Sequence, residues 1–387
     1  MIRKHLIAYG GVPEAEVPHM AKFDVLDIGF ESAQLAEAIK TLNPNVKIIA
    51  YRNMLFAETT WDDWPEINIH EDWFIHSLDG RRIVVPSYPN EQCMNIANLG
   101  WREYSVNYCL NKLAQYPALD GIFADNAWDK WFKEGWNDVN GNLIPPEQVP
   151  DLPTFHDDMR EFLRYVKNRL GNKLVIPNTE NDTDYVDVSD GKMCESFIHL
   201  GWHMPDEFPD WWTINDYLKR INALASISGK GKYYLAFADS KFPSAPTGED
   251  LEKAKKTMFF CLCSFLLGVS GPNATFGWTN IWARDGSKGY YPEMDIDVGN
   301  PRDAYYQVNP DVYGRDFDHA KVFVNFSADV TYTVDVEGTP YSLPPHSAVI
   351  APWEAPPTPP LQAGFPIWVV PVALLGAGVL YLATKKK

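Results

Sequence analysis

One segment of the chain reads Leu119-Asp120-Gly121-Ile122-Phe123-Ala124-Asp125-Asn126, so that a short apolar run passes directly into two polar residues. An apolar run of this length is typical of a buried strand, and Asp125 and Asn126 would lie at its carboxyl end. In a barrel of eight parallel strands, that end carries the active-site loops, whereas acids at the opposite end mostly serve stability. Several other segments repeat the pattern, which predicts a polar site where the strands end.

Apolar runs alternate with helical patterns along most of the chain. Strands are predicted at 5–10, 25–30, 46–51, 119–126, 173–179, 192–198, 233–239 and 274–279. Helices are predicted at 32–41, 101–116, 155–170, 213–228 and 249–267. Eight strands that alternate with helices favour an α/β fold of the (β/α)8 TIM barrel type over an open doubly wound sheet. No glycine-rich phosphate loop follows any predicted strand, which also argues against the open sheet.

Two connections, 53–100 and 127–153, are too long for ordinary turns and are interpreted as loops built over the site. Both are rich in aromatic residues, namely Trp61, Trp64, Trp73, Tyr88, Trp128, Trp131, Phe132 and Trp136. Such side chains could stack on the apolar faces of sugar rings, or they could pin the long loops to the barrel. The sequence leaves both interpretations open.

The C-terminal part of the chain changes character. We predict a barrel domain at 1–315, a small antiparallel β module at 316–353, a Pro-rich linker at 354–365 and a transmembrane anchor at 366–384. The anchor segment is uncharged and apolar, and at ~1.5 Å per residue it nearly matches a hydrocarbon core of ~30 Å. A buried core helix is the alternative.

The three lysines that follow the anchor predict a single-pass plasma-membrane protein with the barrel on the extracellular side. Sequons at Asn181, Asn273 and Asn325 are compatible with that location. No apolar signal segment precedes the first predicted strand, so the sequence leaves the export route open.

Composition limits the classes of partner. The formal net charge of −17 argues against nucleic acid as a partner, because binding to phosphates requires clustered Lys and Arg. We expect neither a metal nor a cofactor. The five cysteines contain no Cys-x-x-Cys pair, and His199 and His203 have the spacing of ligands on a helix, but Gly201 and Pro205 make a helix there unfavourable.

Two acids are the strongest candidates for catalysis. Glycoside cleavage generally needs one carboxyl group to donate a proton and a second to attack or to activate water. Asp125 ends the fourth predicted strand, and Glu195 lies within the sixth, between apolar neighbours that would raise its pKa as a general acid requires. The alternatives are a loop-capping role for Asp125 and a structural ion pair for Glu195.

Further polar and aromatic residues near the predicted strand ends would form a ring suited to a hydroxyl-rich ligand, although any barrel mouth collects polar residues. The predicted substrate-binding residues are Tyr9, Asp27, Arg52, Asn126, Trp128, Asn178, Glu180, Trp202 and Asp239.

These motifs resemble a known family. The segment 120–126, then Asn178, then Glu195-Ser196-Phe197 is similar to glycoside hydrolases related to the endo-α-1,4-polygalactosaminidases, over roughly residues 5 to 350. Residues 291–293 and 322–325 also resemble the closing region of a related set of hypothetical glycosyl hydrolases. The resemblance implies a (β/α)8 barrel with Asp125 as nucleophile and Glu195 as proton donor.

The sequence therefore predicts a membrane-anchored extracellular glycosidase that acts without a cofactor on α-linked sugars or amino sugars of a polysaccharide. The alternative is a catalytically inactive glycan-binding or structural protein of the cell surface that keeps the same barrel.

Overall fold

The computed structural model describes residues 2–179, 184–241, 246–280 and 289–352. The predicted linker at 354–365 and the predicted anchor at 366–384 lie outside these ranges. Within them, no helix is both long enough and apolar enough to cross a bilayer.

Eight parallel strands form the centre of the fold, and each coincides with a predicted strand. They are β1 (His5–Ala8), β2 (Val25–Ile28), β3 (Lys47–Asn53), β4 (Gly121–Asp125), β5 (Leu174–Pro177), β6 (Gly191–Cys194), β7 (Tyr233–Ser240) and β8 (Ala274–Asn280). The first five lie in chain order in one sheet, and the last three form a second sheet. The predicted mixed α/β class is confirmed.

Two isolated parallel bridges connect the edges of these sheets. Lys4 pairs with Phe276 of β8, and Asn178 pairs with Met193 of β6. Alternate strand residues also share one apolar cluster, which draws on both sheets and consists of Val25, Ile49, Phe123, Ile176, Met193, Leu235 and Phe237. The two sheets therefore share part of their core.

The described residues form seven α-helices beside these strands: α1 (Val17–Met20), α2 (Ala36–Leu42), α3 (Trp64–Ile67), α4 (Leu99–Gln115), α5 (Phe155–Leu170), α6 (Ile214–Gly229) and α7 (Gly248–Gly268). Short 3-10 helices lie at Glu14–Glu16, Phe30–Leu35, Glu71–Trp73, Pro146–Gln148 and Pro292–Asp295. The apolar face of α5 is buried, and Gly171 ends this helix with a positive φ of 59°. The α6 helix begins with a capping box between Thr213 and Asp216.

The regular alternation of strands and helices is interrupted twice. Between β1 and β2, only a 3-10 turn and the short α1 occur. Between β5 and β6, residues 178–179 and 184–190 contain no helix.

The interpretation of 53–100 and 127–153 as loops was wrong. Both segments contribute to one five-stranded antiparallel sheet, here called the loop sheet. In spatial order its strands are Phe56–Glu58, Tyr88–Cys93, Ile83–Val85, Trp136–Asp138 and Leu143–Ile144. Its strands are short and come from two distant parts of the chain, and buried apolar residues such as Ile83 and Trp136 hold it on the core.

A second antiparallel sheet, here called the C-terminal sheet, comprises Tyr306–Asn309, Val312–Asp316, Ala320–Asn325 and Ser347–Pro352. A hairpin of Tyr332–Val336 and Thr339–Leu343 lies beside it. The sheet begins at Tyr306, which falls inside the range predicted for the barrel domain. Arg315 connects it to α7, because its Nη1 donates to the carbonyls of Leu266, Leu267 and Val269.

All five cysteines are buried, and none of them forms a disulfide. Of the sequons, Asn181 lies outside the described residues. Asn325 is buried, and its Nδ2 donates to the carbonyls of Val330, Leu343 and Pro344. The folded chain therefore does not present Asn325 for glycosylation.

Candidate active site

Both predicted catalytic acids lie at the carboxyl ends of parallel strands. Asp125 is the last residue of β4, and Glu195 directly follows β6, which ends at Cys194. Glu195 is thus not inside the sixth strand as predicted, but one residue beyond it. Because β4 and β6 belong to different sheets, the two acids meet where these sheets come together.

One side-chain amide connects the two acids. Asn178 Nδ2 donates to Asp125 Oδ1 at 3.0 Å and to Glu195 Oε2 at 2.7 Å. These oxygens can be no farther apart than the two hydrogen bonds laid end to end. That limit is below the ~6.5 Å at which the carboxyl separations of inverting glycosidases begin.

Asp125 is surrounded by hydrogen-bond donors. Loss of hydration inside the protein raises its pKa, whereas hydrogen bonds from Asn178, from the Asn126 backbone and from Tyr51 lower it. Asn126 Nδ2 also donates to Asp125 Oδ2 at 3.0 Å. These donors stabilise the ionised form of Asp125.

Glu195 has fewer such donors. It lines a cavity, and its side chain is exposed to the cavity interior. Loss of hydration raises its pKa, the negative charge of Asp125 raises it further, and the hydrogen bond from Asn178 lowers it. Of the two acids, Glu195 is therefore better suited to hold a proton.

Asp27 and Tyr9 lie beside this pair. The Tyr9 hydroxyl donates to Asp27 Oδ2, and Asp27 Oδ1 is buried without a hydrogen-bond partner among the described residues. Burial raises the pKa of Asp27 well above its usual value, and the charges of Asp125 and Glu195 add to this effect, against the hydrogen bond from Tyr9. Asp27 thus belongs to the same group of interacting acids.

Asp239 lies near the end of β7 and is fully buried. Neither of its carboxyl oxygens has a hydrogen-bond partner in the described part of the chain. Burial, followed by the charge of Glu195, raises its pKa well above the usual value. The backbone of Gly201 approaches so closely that a Cβ there would lie 2.4 Å from Asp239 Oδ2.

A cavity of about 900 Å³ opens above the acid pair, a size within the usual range for ligand sites. Several predicted residues line it, namely Tyr9, Arg52, Asp125, Asn126, Trp128 and Glu195. Sequence reasoning did not identify other lining residues as part of the site, and these include Tyr51, Phe56, Glu58 and Glu91. Three of these four belong to the loop sheet, whose strands the sequence pattern did not reveal.

Glu58 and Glu91 are directly opposite each other in adjacent antiparallel strands of the loop sheet, and both line the cavity. Like charges at such positions destabilise a sheet. Burial, together with the charges of Glu58 and Asp125, raises the pKa of Glu91 to about 8. This wall of the cavity is therefore strongly acidic.

The guanidinium of Arg52 is already occupied by protein partners. It forms a buried ion pair with Asp63, with Nη2 2.9 Å from Asp63 Oδ2. It also lies over the rings of Trp61 and Tyr108, at 3.9 and 4.3 Å from their centroids. Arg52 thus holds the cavity wall together, although it was predicted as a substrate ligand.

Asn126 and Trp128 support each other at the cavity edge. Asn126 adopts a positive φ of 52°, which is uncommon for a residue other than glycine. Its Oδ1 accepts a hydrogen bond from Trp128 Nε1 at 3.0 Å. The turn after β4 is therefore held in one conformation next to Asp125.

Of the predicted substrate-binding residues that the structure describes, those that do not line this cavity are Asp27, Asn178, Trp202 and Asp239. Trp202 is exposed and is not among the lining residues. Glu180 lies outside the described residues.

Some aromatic residues of 53–100 and 127–153 pack in the core, and others line the cavity. Trp73 and Trp136 are buried in the core, and Trp131 stacks on Trp136 with ring centroids 4.8 Å apart. These residues pin the loop sheet. Trp61, Tyr88 and Trp128 instead line the cavity.

Solved structures provide comparisons for the fold. An α-amylase from Anoxybacillus matches with a TM-score of 0.51 and 10% identity, covering 90% of this chain and 98% of that chain. The glycoside hydrolase domain of PelA from Pseudomonas aeruginosa matches with a TM-score of 0.47 and 12% identity, over 77% and 98%. Ega3 from Aspergillus fumigatus, in complex with galactosamine, matches with a TM-score of 0.45 and 14% identity, over 72% and 91%. At these identities the likeness concerns the fold alone.

No curated protein sequence matches the chain. The sequence profile of hypothetical glycosyl hydrolase family 15, however, matches residues 40–321, which is well over half of the chain. The resemblance to glycosyl hydrolases is confirmed by this match. The protein therefore belongs to hypothetical glycosyl hydrolase family 15 and is an enzyme of the glycosidase class.

Proposed function

We propose that this glycosidase cleaves α-linked sugars or amino sugars in a cell-surface or extracellular polysaccharide by a two-carboxylate mechanism. The observation that carries the proposal is the contact of one amide, Asn178, with both Asp125 and Glu195 in a single cavity. Two carboxyl groups at short separation, open to the same space, are what glycoside cleavage requires.

In the proposed reaction, the Asp125 carboxylate attacks the anomeric carbon while Glu195 donates its proton to the leaving oxygen. The glycosidic bond breaks as the bond to Asp125 forms. Glu195, now ionised, takes a proton from water, whose oxygen displaces Asp125 from the sugar and restores both acids. The more numerous donors around Asp125 and the extra negative charge beside Glu195 support this assignment of roles.

The short separation of the two acids supports retention of anomeric configuration, since retaining enzymes hold their carboxyl groups ~5–5.5 Å apart. The first product released should then have the same anomeric configuration as the substrate. Proton NMR of the reaction, recorded before the product mutarotates, tests this. Initial release of the opposite anomer contradicts the nucleophile role of Asp125.

We also propose that the eight parallel strands form one closed (β/α)8 barrel. Three observations support closure: the bridge between Lys4 and Phe276, the bridge between Asn178 and Met193, and the apolar cluster that draws on both sheets. In such a barrel, the carboxyl ends of all strands face one mouth, which is where Asp125 and Glu195 lie.

The acidic wall supports a preference for sugars that carry a free amine. Glu58 and Glu91 face the same cavity as the acid pair, and the chain as a whole has a formal net charge of −17. A cationic amino sugar would favour ionisation of these two acids, whereas an acidic sugar would oppose it.

Asp125→Asn and Glu195→Gln, made separately in the full-length chain, test the proposed activity. The probes are an α-1,4-linked galactosamine polymer before and after N-acetylation, and an α-1,4-glucan. Each variant should lose ~10²–10⁴-fold or more in the release of reducing ends while its binding of the polymer, measured by calorimetry, is retained. Glu337→Gln, in an exposed turn, is the matched control.

The result also separates the enzyme from the alternative of a glycan-binding protein. If the wild-type chain binds a polymer without releasing any reducing ends, there is no turnover for the variants to lose. The glycan-binding function then replaces the proposed activity on these polymers.

We further propose, from the sequence alone, that residues 366–384 anchor the enzyme in the plasma membrane with its catalytic part outside the cell. Protease treatment of intact cells should then release the catalytic part. Its protection until the cells are lysed contradicts the proposed orientation.

A further inference from the structure

We propose that Asn178 is a positioning residue for the proposed reaction, which holds Asp125 and Glu195 at one separation and stabilises negative charge on both. Its side-chain amide is the contact that they share. This inference rests on the proposed function for its kinetic consequences, but its electrostatic consequences can be measured without turnover.

The backbone of Asn178 is held on both sides. Its N–H donates to the carbonyl of Ala124 at 3.0 Å, and its own carbonyl accepts from the N–H of Ala127, also at 3.0 Å. These two residues flank Asp125 and Asn126 in the chain. Asn178 also forms the bridge to Met193, two residues before Glu195. The residue is therefore fixed relative to both acids before its side chain is considered.

The donors of the amide are fully used. An asparagine NH2 group has two N–H bonds, and here one is directed at Asp125 and the other at Glu195. No N–H of this side chain is left for a substrate hydroxyl. The amide N–H groups therefore act through the two acids, while the substrate-binding role predicted from the sequence stays a prediction.

The reverse orientation of the amide is unfavourable. It would direct the carbonyl oxygen at two carboxyl groups, of which at least one must be ionised for catalysis. The two acids therefore fix the orientation of Asn178, just as Asn178 fixes their positions. A single neutral donor serves both, so neither acid needs a cationic partner that would hold it permanently ionised.

The other titratable groups around the pair are four acids and two tyrosines, of which Tyr51 donates a hydrogen bond to Asp125. They are Tyr9 after β1, Asp27 on β2, Tyr51 on β3, Asp239 on β7, and Glu58 and Glu91 on the loop sheet. Each carboxylate among them repels a second negative charge at Asp125 or Glu195. In this setting, the hydrogen bonds from Asn178 lower the pKa of both acids.

Asn178→Leu and Asn178→Asp test the proposal in the full-length enzyme. Leucine has a similar size but no donor, so kcat on the cleaved polymer should fall ~10²-fold, the cost of a small misplacement of reacting groups, with little change in KM. Both limbs of the pH–rate profile should move to higher pH, because both acids lose a hydrogen bond that stabilises their charge. In Asn178→Asp, activity should recover only at acidic pH, where the new carboxyl is protonated and can donate.

An activity-independent measurement keeps the test decisive. Carbon-13 NMR of carboxyl-labelled protein gives the pKa of Asp125 and of Glu195 directly, with Asp125→Asn and Glu195→Gln used to assign the signals. Both pKa values should rise in Asn178→Leu and stay unchanged in Asn107→Leu, a matched control on α4. Thermal unfolding establishes that each variant is folded, and Asn178→Asp replaces the leucine variant if the latter is not.

The outcomes distinguish failure of this proposal from failure of the proposed function. If wild-type enzyme cleaves the polymer and Asn178→Leu changes only KM, Asn178 is a substrate ligand and the positioning role is wrong. If the wild type cleaves nothing, the proposed activity fails, and the NMR titration alone decides the electrostatic role. Unchanged pKa values of both acids in a folded variant overturn the proposal in either case.

Discussion

Asp125 and Glu195 are acids of similar chemistry in different surroundings. Three hydrogen bonds lower the pKa of Asp125, whereas one hydrogen bond lowers that of Glu195 and the charge of Asp125 raises it. The order in which the two groups lose their protons therefore depends on their neighbours rather than on whether the residue is Asp or Glu. This asymmetry is what allows one acid to attack while the other donates a proton.

The raised pKa of Glu91 predicts a specific pH dependence of stability. Its pKa is about 8 in the folded chain against an ordinary value of 4.5, so the folded state keeps a proton that the unfolded state loses between these values. Stability should decrease as pH rises through that window. Glu91→Gln removes this contribution and should stabilise the protein at about pH 8 by about 0.2–1 kcal/mol, a value kept small because Glu91 is partly exposed.

Thermal unfolding of Glu91→Gln and of wild type at about pH 5 and about pH 8 measures this effect. Glu103→Gln, on the exposed face of α4, is the control and should leave the pH dependence unchanged. Equal loss of stability with pH in wild type and Glu91→Gln contradicts the assignment of the dependence to Glu91.

The ion pair between Arg52 and Asp63 predicts a large loss of stability when it is broken. Both side chains are buried, so Asp63→Asn leaves the Arg52 charge without its partner and should cost about 3–5 kcal/mol. Urea denaturation measures the loss. Asp187→Asn breaks an exposed pair with Arg160 and should cost only about 0–1 kcal/mol. A similar small cost for Asp63→Asn would mean that water reaches Arg52.

At the scale of single residues, the sequence predicts the site residues that follow apolar strands and misses those that reach the site from other elements. Tyr9, Asp27, Asn178 and Asp239 were identified because the strand pattern places them at one end of the sheet. Their placement beside the acid pair agrees with that pattern, while their roles in binding stay predictions. Trp202 had no strand pattern to place it.

The loop sheet is the element that the sequence did not reveal. Its strands at Leu143–Ile144, Ile83–Val85 and Trp136–Asp138 are too short to give a periodic signal. Their pairing is also non-local, because Ile83–Val85 pairs with Trp136–Asp138 across the whole of β4 and α4. Glu58 and Glu91 become neighbours only through such pairing, which explains why the acidic wall was not predicted.

Gly121, at the start of β4, occupies a position that does not tolerate a side chain. A Cβ on Gly121 would lie 2.1 Å from the carbonyl oxygen of Leu174 in the neighbouring strand β5. Gly121→Ala should therefore push these two strands apart and destabilise the protein by about 1–3 kcal/mol. Gly229→Ala, at the end of α6, is the matched control, since its nearest atom would be 3.7 Å away.

Chemical denaturation of both glycine variants measures the difference. An equally stable Gly121→Ala would indicate that β4 and β5 can separate without cost. That result would also weaken the account of Asn178, because its position depends on the same pair of strands.

At the scale of the whole molecule, the hydrogen bonds of Arg315 lead to a prediction about how the C-terminal sheet unfolds. This buried side chain donates to three carbonyls at the end of α7, and Arg315→Leu leaves these acceptors without a donor, at about 1–3 kcal/mol each. In wild type, the C-terminal sheet and the α/β part should unfold together. In Arg315→Leu, the sheet should open first.

Two probes follow the unfolding of the C-terminal sheet and of the α/β part separately. Residues 289–352 contain no Trp, so in a background that carries Trp353→Phe and Trp368→Phe, tryptophan fluorescence reports on the α/β part. Hydrogen exchange of the strand Ala320–Asn325 reports on the C-terminal sheet. Arg302→Leu, in an exposed pair with Asp318, is the control. Coincident transitions in Arg315→Leu would show that other contacts join the two parts.

The α/β architecture was the most predictable property of the molecule. Most residues of the parallel strands are buried, and each of the longer helices buries apolar residues, so local pattern and tertiary burial agree. The two interrupted connections and the start of the C-terminal sheet at Tyr306 were less predictable. They depend on which surfaces remain to be covered once the strands are assembled, and no local pattern contains that information.

The position of the acid pair has a consequence for how the protein is made. A ribosome that has synthesised β5 and Asn178 has already supplied Asp125, but Glu195 and the second sheet come later in the chain. Under the proposed mechanism neither acid is sufficient alone, so the unfinished chain cannot cut the polymers of the cell that produces it. Hydrolytic activity then reports that translation has passed β6 and that the two sheets have met.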